Sequence, residues 1–143
     1  MIPIRRRSVA LIGGFLGWTI FVWGIVRVRN ILGDDALSVS ERNQALLLSV
    51  TFWVPAAVIA VMLILAVAKK SPLSPAARYG VIGLAAWSVL VWLFRAVDIA
   101  LFSDRGAAFI VVHVVLGVIS VVLAWLAVGE VRAFVQRRPS SAA

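Results

Sequence analysis

The stretch Tyr79–Phe102 reads YGVIGLAAWSVLVWLFRAVDIALF and decides the fold class. As an α-helix rising about 1.5 Å per residue, it is long enough to cross a hydrocarbon core of about 30 Å. Arg95 and Asp98 stand near its far end, three residues apart and therefore on one side of the helix. The stretch predicts a transmembrane helix that carries a charged pair close to one membrane face.

The composition of the whole chain agrees with that interpretation. Hydrophobic residues make up 63% of the 143 residues and the mean hydropathy is +1.06, far above a soluble domain, which is about half apolar. Charged residues fall to 14%, too few to cover a surface that faces water. The chain is predicted to be an all-α integral membrane protein, a single domain over residues 1–143.

Apolar runs between short polar segments predict four transmembrane helices, at about 9–32, 44–68, 79–102 and 106–129. Residues 130–143 are predicted to form a basic cytoplasmic tail with a disordered end. Three arginines before the first run resemble the start of a signal peptide, but the run is long and no small-residue cleavage site follows it. We expect an uncleaved first helix. Ser40, followed by Glu41, is the predicted N-cap of the second helix.

The basic residues predict the orientation in the membrane. Nine Lys and Arg residues lie in the N-terminus, the second loop and the C-terminus, and five lie on the other side. By the positive-inside rule, both termini are predicted to be cytoplasmic. Usage rich in Arg, Ala and Val indicates a bacterial cytoplasmic membrane. Because orientation accounts for the net charge of +8, nucleic acid is not an expected partner.

The two halves of the chain resemble each other. Trp18 and Trp23 precede Arg27 as Trp87 and Trp92 precede Arg95. Arg27-x-x-Asn30-Ile31 also matches Arg95-x-x-Asp98-Ile99. These matches predict a tandem two-helix repeat, in which both units have one orientation. The alternative is that apolar helices with aromatic and Arg residues near membrane ends look alike by composition.

Five polar residues form a candidate cluster in the outer leaflet: Arg27, Asn30, Arg95, Asp98 and His113. If the first and third helices are neighbours, two arginines and one acid leave net positive charge, which suits a phosphate or carboxylate. The alternative is interfacial anchoring, because the Arg95 side chain has about 6 Å to extend to the membrane edge. For His113 a hydrogen bond to another helix competes with a ligand-binding or proton-sensing role.

Small residues mark predicted helix-packing faces. Gly13 and Gly17 have GxxxG spacing and Gly24 follows near the same face, while Gly117 and Ser120 continue the face of His113. Such residues permit close approach of helices, although Gly is also simply common in membrane helices.

The residue inventory limits the chemistry that the chain can perform. There is no Cys and a single His, so disulfides, thiolate metal sites and an intrachain bis-His haem site are excluded. No catalytic residue, metal site or cofactor is expected, because no catalytic or metal-binding motif occurs. The sequence predicts a non-enzymatic subunit or interaction protein, in a homo-oligomer or a larger membrane complex. The alternative is a small transporter or a lipid- or anion-binding protein that uses the polar cluster.

Overall fold

The computed structural model describes residues 4–102 and 106–136, and this part of the chain is helical without strands. Four helices account for nearly all of it: α1 (Arg6–Leu32), α2 (Val39–Ala68), α3 (Pro75–Phe102) and α4 (Ala107–Gln136). All four are long and apolar enough to cross a membrane. The predicted loop at Ser103–Arg105 and the end of the predicted tail lie outside the described residues.

The helix α1 changes its hydrogen-bonding pattern near its middle. It is α-helical over Arg6–Thr19, a π-helix over Ile20–Val26 and α-helical again over Arg27–Leu32. A π-helix bonds residue i to i+5 and so places more residues in each turn than an α-helix does. The segment therefore changes how Trp23 and Arg27 are spaced along the helix.

The start of α2 differs from the sequence expectation. Ser38, not Ser40, is the N-cap: its hydroxyl accepts a hydrogen bond from the Glu41 backbone N–H at 3.3 Å, and the Glu41 carboxylate accepts one from the Ser38 backbone N–H at 2.9 Å. Such a capping box needs a spacing of three residues, which Ser38 provides and Ser40 does not. Pro55 lies inside the continuous helix.

The helices also extend beyond the expected apolar limits. α3 begins at Pro75, four residues before 79, and α4 continues to Gln136, seven residues past 129. The expected limits counted only residues without charge, whereas a helix can continue past the membrane boundary with polar residues. In this extension the Arg78 guanidinium lies 5.7 Å from the Phe134 ring, so that a cation–π contact joins α3 to α4.

The four helices form a ring in chain order. α1 packs against α2 and α4, and α3 packs against the same two helices, so α1 and α3 are diagonally opposed. We call the end of the bundle that contains Arg27 and Arg95 the arginine end, and the opposite end the termini end. At the termini end the Ser8 hydroxyl donates to the Glu130 carboxylate at 2.7 Å, and Arg7 lies 3.1 Å from the same carboxylate.

The core lies along the ring axis and the outer surface is apolar. Phe15, Leu16 and Phe52 are fully buried. Large apolar side chains such as Ile64, Leu90 and Trp125 are exposed on the outside. A water-soluble bundle would carry charge at such positions, whereas lipid accommodates them. The fold is that of a multi-pass membrane protein.

Candidate functional site

Three aromatic side chains from different helices meet inside the bundle, close to the arginine end. Trp23 of α1 stacks on Phe52 of α2 with ring centroids 3.9 Å apart and planes 3° from parallel. Trp23 also meets Trp92 of α3 edge-on, at 6.1 Å and 66°. Both arrangements are favourable for aromatic rings. The diagonal helices α1 and α3 are therefore linked through Trp23 and Trp92.

Arg27 lies next to this aromatic centre. Its guanidinium carbon is 5.3 Å from the centroid of the Trp23 ring, within the range of a cation–π contact. Its side chain is half-buried, and its Nε is buried without a hydrogen-bond partner among the described residues. Arg27 and Arg95 are close enough to repel each other electrostatically. The site thus combines a cation with an unused N–H donor and a second cation nearby.

The acid of the predicted cluster offsets this charge only weakly. Arg95 Nη1 and Asp98 Oδ2 are 3.7 Å apart, and the two side chains are 30% and 48% exposed. An exposed pair at that distance contributes at most about 1 kcal/mol. Arg27, Arg95 and Asp98 together carry one net positive charge, whereas the arginine end as a whole has four bases and four acids among the described residues.

Trp92 supplies a second unused donor. The residue is only 8% exposed, and its indole N–H has no hydrogen-bond partner in the part of the chain that the structure describes. The benzene edge of the indole faces α4, since a Cβ on Gly117 would lie 3.0 Å from the Trp92 Cε3 atom. Trp92 and Arg27 both contact Trp23, so two residues with buried N–H groups that lack partners among the described residues meet at one ring. A buried donor without an acceptor costs about 1–3 kcal/mol.

The remaining two residues of the predicted cluster are placed differently. His113 of α4 lines a groove together with Arg95. Its Nδ1 lies 2.8 Å from the Phe109 carbonyl oxygen, and because a carbonyl can only accept, Nδ1 carries the proton and Nε2 remains for another partner. Asn30 is exposed. The structure therefore brings Arg27, Arg95 and Asp98 together, puts His113 across the groove from Arg95, and leaves Asn30 at the surface.

The predicted helix-packing residues also divide into two groups. A Cβ on Gly24 would lie 3.1 Å from the Trp53 Cβ, and Gly117 is equally close to Trp92, so both allow close helix contact. Ser120 is buried and accepts a hydrogen bond from the Trp18 indole at 2.9 Å. By contrast, a Cβ on Gly13 would make only ordinary contact with Leu63 at 3.9 Å, and one on Gly17 would meet nothing within 4 Å.

Sequence reasoning missed three of these features. Gly80 packs against Ile59 as tightly as Gly117 packs against Trp92, and no spacing motif marks it. Glu130 was placed in the tail, although its side chain is only 13% exposed and accepts from buried Ser8. In the sequence, Glu130 stands out as the one acid on the predicted cytoplasmic side. The unpartnered Trp92 N–H has no sequence signal, because it depends on which residues surround the ring.

Within residues 4–102 and 106–136, no three His, Asp or Glu side chains converge on a point. In comparisons with known proteins, no family model matches the chain, and neither a curated protein nor a solved structure matches it. The polar groups at this end are the Arg27 and Arg95 guanidiniums and two buried N–H donors without partners among the described residues, Arg27 Nε and Trp92 Nε1.

Proposed function

We propose that the protein is a multi-pass membrane protein that binds a phosphate or carboxylate group at its arginine end, between α1 and α3. One observation carries this proposal: Arg27 Nε and Trp92 Nε1 are both buried without acceptors among the described residues. Their neighbours include two arginines and only one weakly paired acid. An oxyanion would accept from both donors and neutralise the excess charge. A bound anion would remove the free-energy cost of burying these two N–H donors without acceptors.

We also propose that the bundle is a tandem two-helix repeat with a pseudo-two-fold axis between Trp23 and Trp92. Burial supports it: seven buried residues of α1 have buried counterparts in α3 that lie 69 residues later. The pairs are Ser8/Ala77, Ile12/Val81, Phe15/Leu84, Leu16/Ala85, Thr19/Ser88, Val22/Val91 and Trp23/Trp92.

Hydrogen bonds between helices support the same repeat. The Trp18 indole of α1 donates to Ser120 of α4 at 2.9 Å, and the Trp87 indole of α3 donates to Thr51 of α2 at 3.1 Å. Trp18 and Trp87 are 69 residues apart, as are Thr51 and Ser120. A two-fold axis along the ring centre relates the two indole donors, while the acceptor Thr51 is one residue away from Phe52, the counterpart of Ser120 by burial.

The orientation belongs to this proposal as well. With nine basic residues on the termini side and five on the other, both termini are placed in the cytoplasm of a bacterial cell and the arginine end in the outer leaflet. The anion would then be presented from outside the cell or from the outer half of the bilayer.

The proposal is tested by binding to the full chain in mild detergent. Radiolabelled inorganic phosphate and phosphatidylglycerol serve as probes, and equilibrium dialysis and native mass spectrometry measure bound ligand. Arg27→Gln and Arg95→Gln should each weaken both ligands about tenfold or more, since each removes a charge-assisted hydrogen bond. Asp98→Asn should act in the opposite direction and strengthen binding, because it removes the acid.

Arg29→Gln is the matched control. Arg29 lies two residues from Arg27 on the same helix but is exposed, so binding should stay at the wild-type level. Equal losses in the Arg29 and Arg27 variants would reduce the effect to general surface charge and overturn the proposal. The expectation of a non-enzymatic subunit remains a prediction, and a stoichiometric larger partner in the same purification would favour it.

A further inference from the structure

A groove runs along the outside of the bundle between α3 and α4. Its volume is about 510 Å³, and it is lined on α3 between Trp92 and Ala100 and on α4 between Ile110 and Val122. Arg95 and His113 are the two ionisable residues in a wall that is otherwise apolar or aromatic. The groove opens sideways on the surface that faces lipid. Its size lies within the range of small-molecule sites.

The first half of the chain fills the corresponding space. Phe52 of α2 stacks on Trp23, and Trp53 packs against Gly24. These two large aromatic side chains fill the space between α1 and α2 near the arginine end.

The second half has small residues instead. The buried residues of α2 and α4 correspond at an offset of 68: Phe52/Ser120, Ala56/Ala124, Ile59/Ala127 and Leu63/Val131. At this offset the positions of Phe52 and Trp53 hold Ser120 and Val121. Val121 lines the groove. The groove between α3 and α4 is therefore open where the second half has small side chains in place of two aromatic rings.

We propose that this groove holds one acyl chain of an anionic phospholipid, whose phosphate lies at the proposed anion site beside Arg95. The inference rests on the proposed anion binding and names the ligand. Along α4 the groove continues nine residues inward from His113 to Val122, about 14 Å at helical rise. One leaflet of a hydrocarbon core of about 30 Å is about 15 Å deep. The groove thus has the depth of one acyl chain.

Charge and hydrogen bonding at the mouth of the groove fit a lipid phosphate. Arg95 lines the groove and belongs to a cluster with net positive charge. The His113 Nδ1–H donates to the Phe109 carbonyl of its own helix, which leaves Nε2 as an acceptor, so Arg95 supplies the donors to a phosphate oxygen. Free inorganic phosphate would bind at Arg95 but would not contact the apolar part of the groove.

Filling the groove is the direct test. Val121→Trp restores the aromatic residue that the first half has at this position. Phosphatidylglycerol retained by the full chain in mild detergent should fall about tenfold or more, because the indole overfills the space. Binding of inorganic phosphate should stay unchanged. Val115→Trp is the matched control, since Val115 is exposed on α4 within the length of the groove but does not line it.

The outcomes separate the two proposals. Wild-type lipid retention in Val121→Trp, or an equal loss in Val115→Trp, overturns the acyl-chain groove while anion binding at Arg27 and Arg95 stands. Loss of both ligands in the arginine variants, together with loss of lipid but not of phosphate in Val121→Trp, supports both proposals.

A second measurement needs no variant and covers the case in which Val121→Trp fails to fold. Phosphatidylglycerol with a photoactivatable acyl chain should label wild-type peptides from the groove walls of α3 and α4. Even labelling of all four helices, or a second copy of the chain seated in the groove, would overturn the proposal.

Discussion

At the scale of single residues, Asp98 shows how exposure decides the worth of an ion pair. A desolvated Arg95–Asp98 pair would cost about 3–5 kcal/mol to break, whereas a solvated one contributes at most about 1 kcal/mol. The pair lies near the end of its span at Leu101, close to the water-facing boundary, so the 3.7 Å separation and the 48% exposure of Asp98 favour the second value. We expect Asp98→Asn to lower the free energy of unfolding by no more than about 1 kcal/mol, measured by thermal unfolding in detergent.

Glu130 provides the contrast in the same measurement. Its carboxylate accepts from Ser8, which is 7% exposed, so Glu130→Ala leaves a buried hydroxyl without its acceptor at a cost of about 1–3 kcal/mol. Glu130→Gln keeps an acceptor oxygen and should lose less. An Asp98→Asn variant that is destabilised as much as Glu130→Ala would show that the pair at the arginine end is desolvated.

At the scale of elements, the π-helical segment accounts for a one-residue mismatch between the halves. Trp23 and Trp92 are 69 residues apart, but Arg27 and Arg95 are 68 apart. α1 therefore has one residue more than α3 between these positions, and its π-helix spans Ile20–Val26. A π-turn accommodates extra length without rotating the rest of the helix. Under the proposed repeat, Arg27 and Arg95 thus keep corresponding places at the arginine end.

This explanation predicts that a deletion can be tolerated in one helix and not in the other. Removing Ile25, which is exposed within the π-helical segment, should convert the segment to α-helix and keep Arg27 beside Trp23. Removing Phe94 from the regular α3 should rotate every later residue by about 100° and destabilise the bundle. Thermal unfolding and elution profile in detergent compare the two; equal damage from both deletions would refute the explanation.

At the scale of the whole molecule, the ring of four helices places both ends of the chain at one end of the bundle. Ser8 and Arg7 near the start meet Glu130 near the end. The excess of basic residues then predicts which side of the membrane this end occupies.

The orientation is checked with reporters that are active only outside the cytoplasm. A reporter fused after Ala143 should be silent, because both termini are predicted to be cytoplasmic. A reporter inserted at Ala36, in the loop between α1 and α2, should be active. The reverse pattern would place the arginine end in the cytoplasm and move the proposed lipid site to the inner leaflet.

The amino-acid sequence by itself determined the class of the protein and the number of its helices. An apolar run as long as a bilayer is thick is expected to form a helix, since its backbone polar groups must be satisfied within the segment in lipid. It also marked Arg27, Arg95 and His113, because ionisable residues stand out in an apolar background. It did not locate the helix ends well, because helices continue past the membrane boundary with ordinary polar residues.

Only the tertiary structure decided which residues share a site. Local spacing placed Asn30 beside Arg27, but the folded helix leaves Asn30 exposed. The spacing of Gly13 and Gly17 predicted a packing face, yet Gly80 makes the closer contact. The unpartnered Trp92 N–H and the open groove at Val121 depend on side chains far apart in the chain. Contacts of this kind depend on how the helices are rotated against each other, which composition and spacing do not fix.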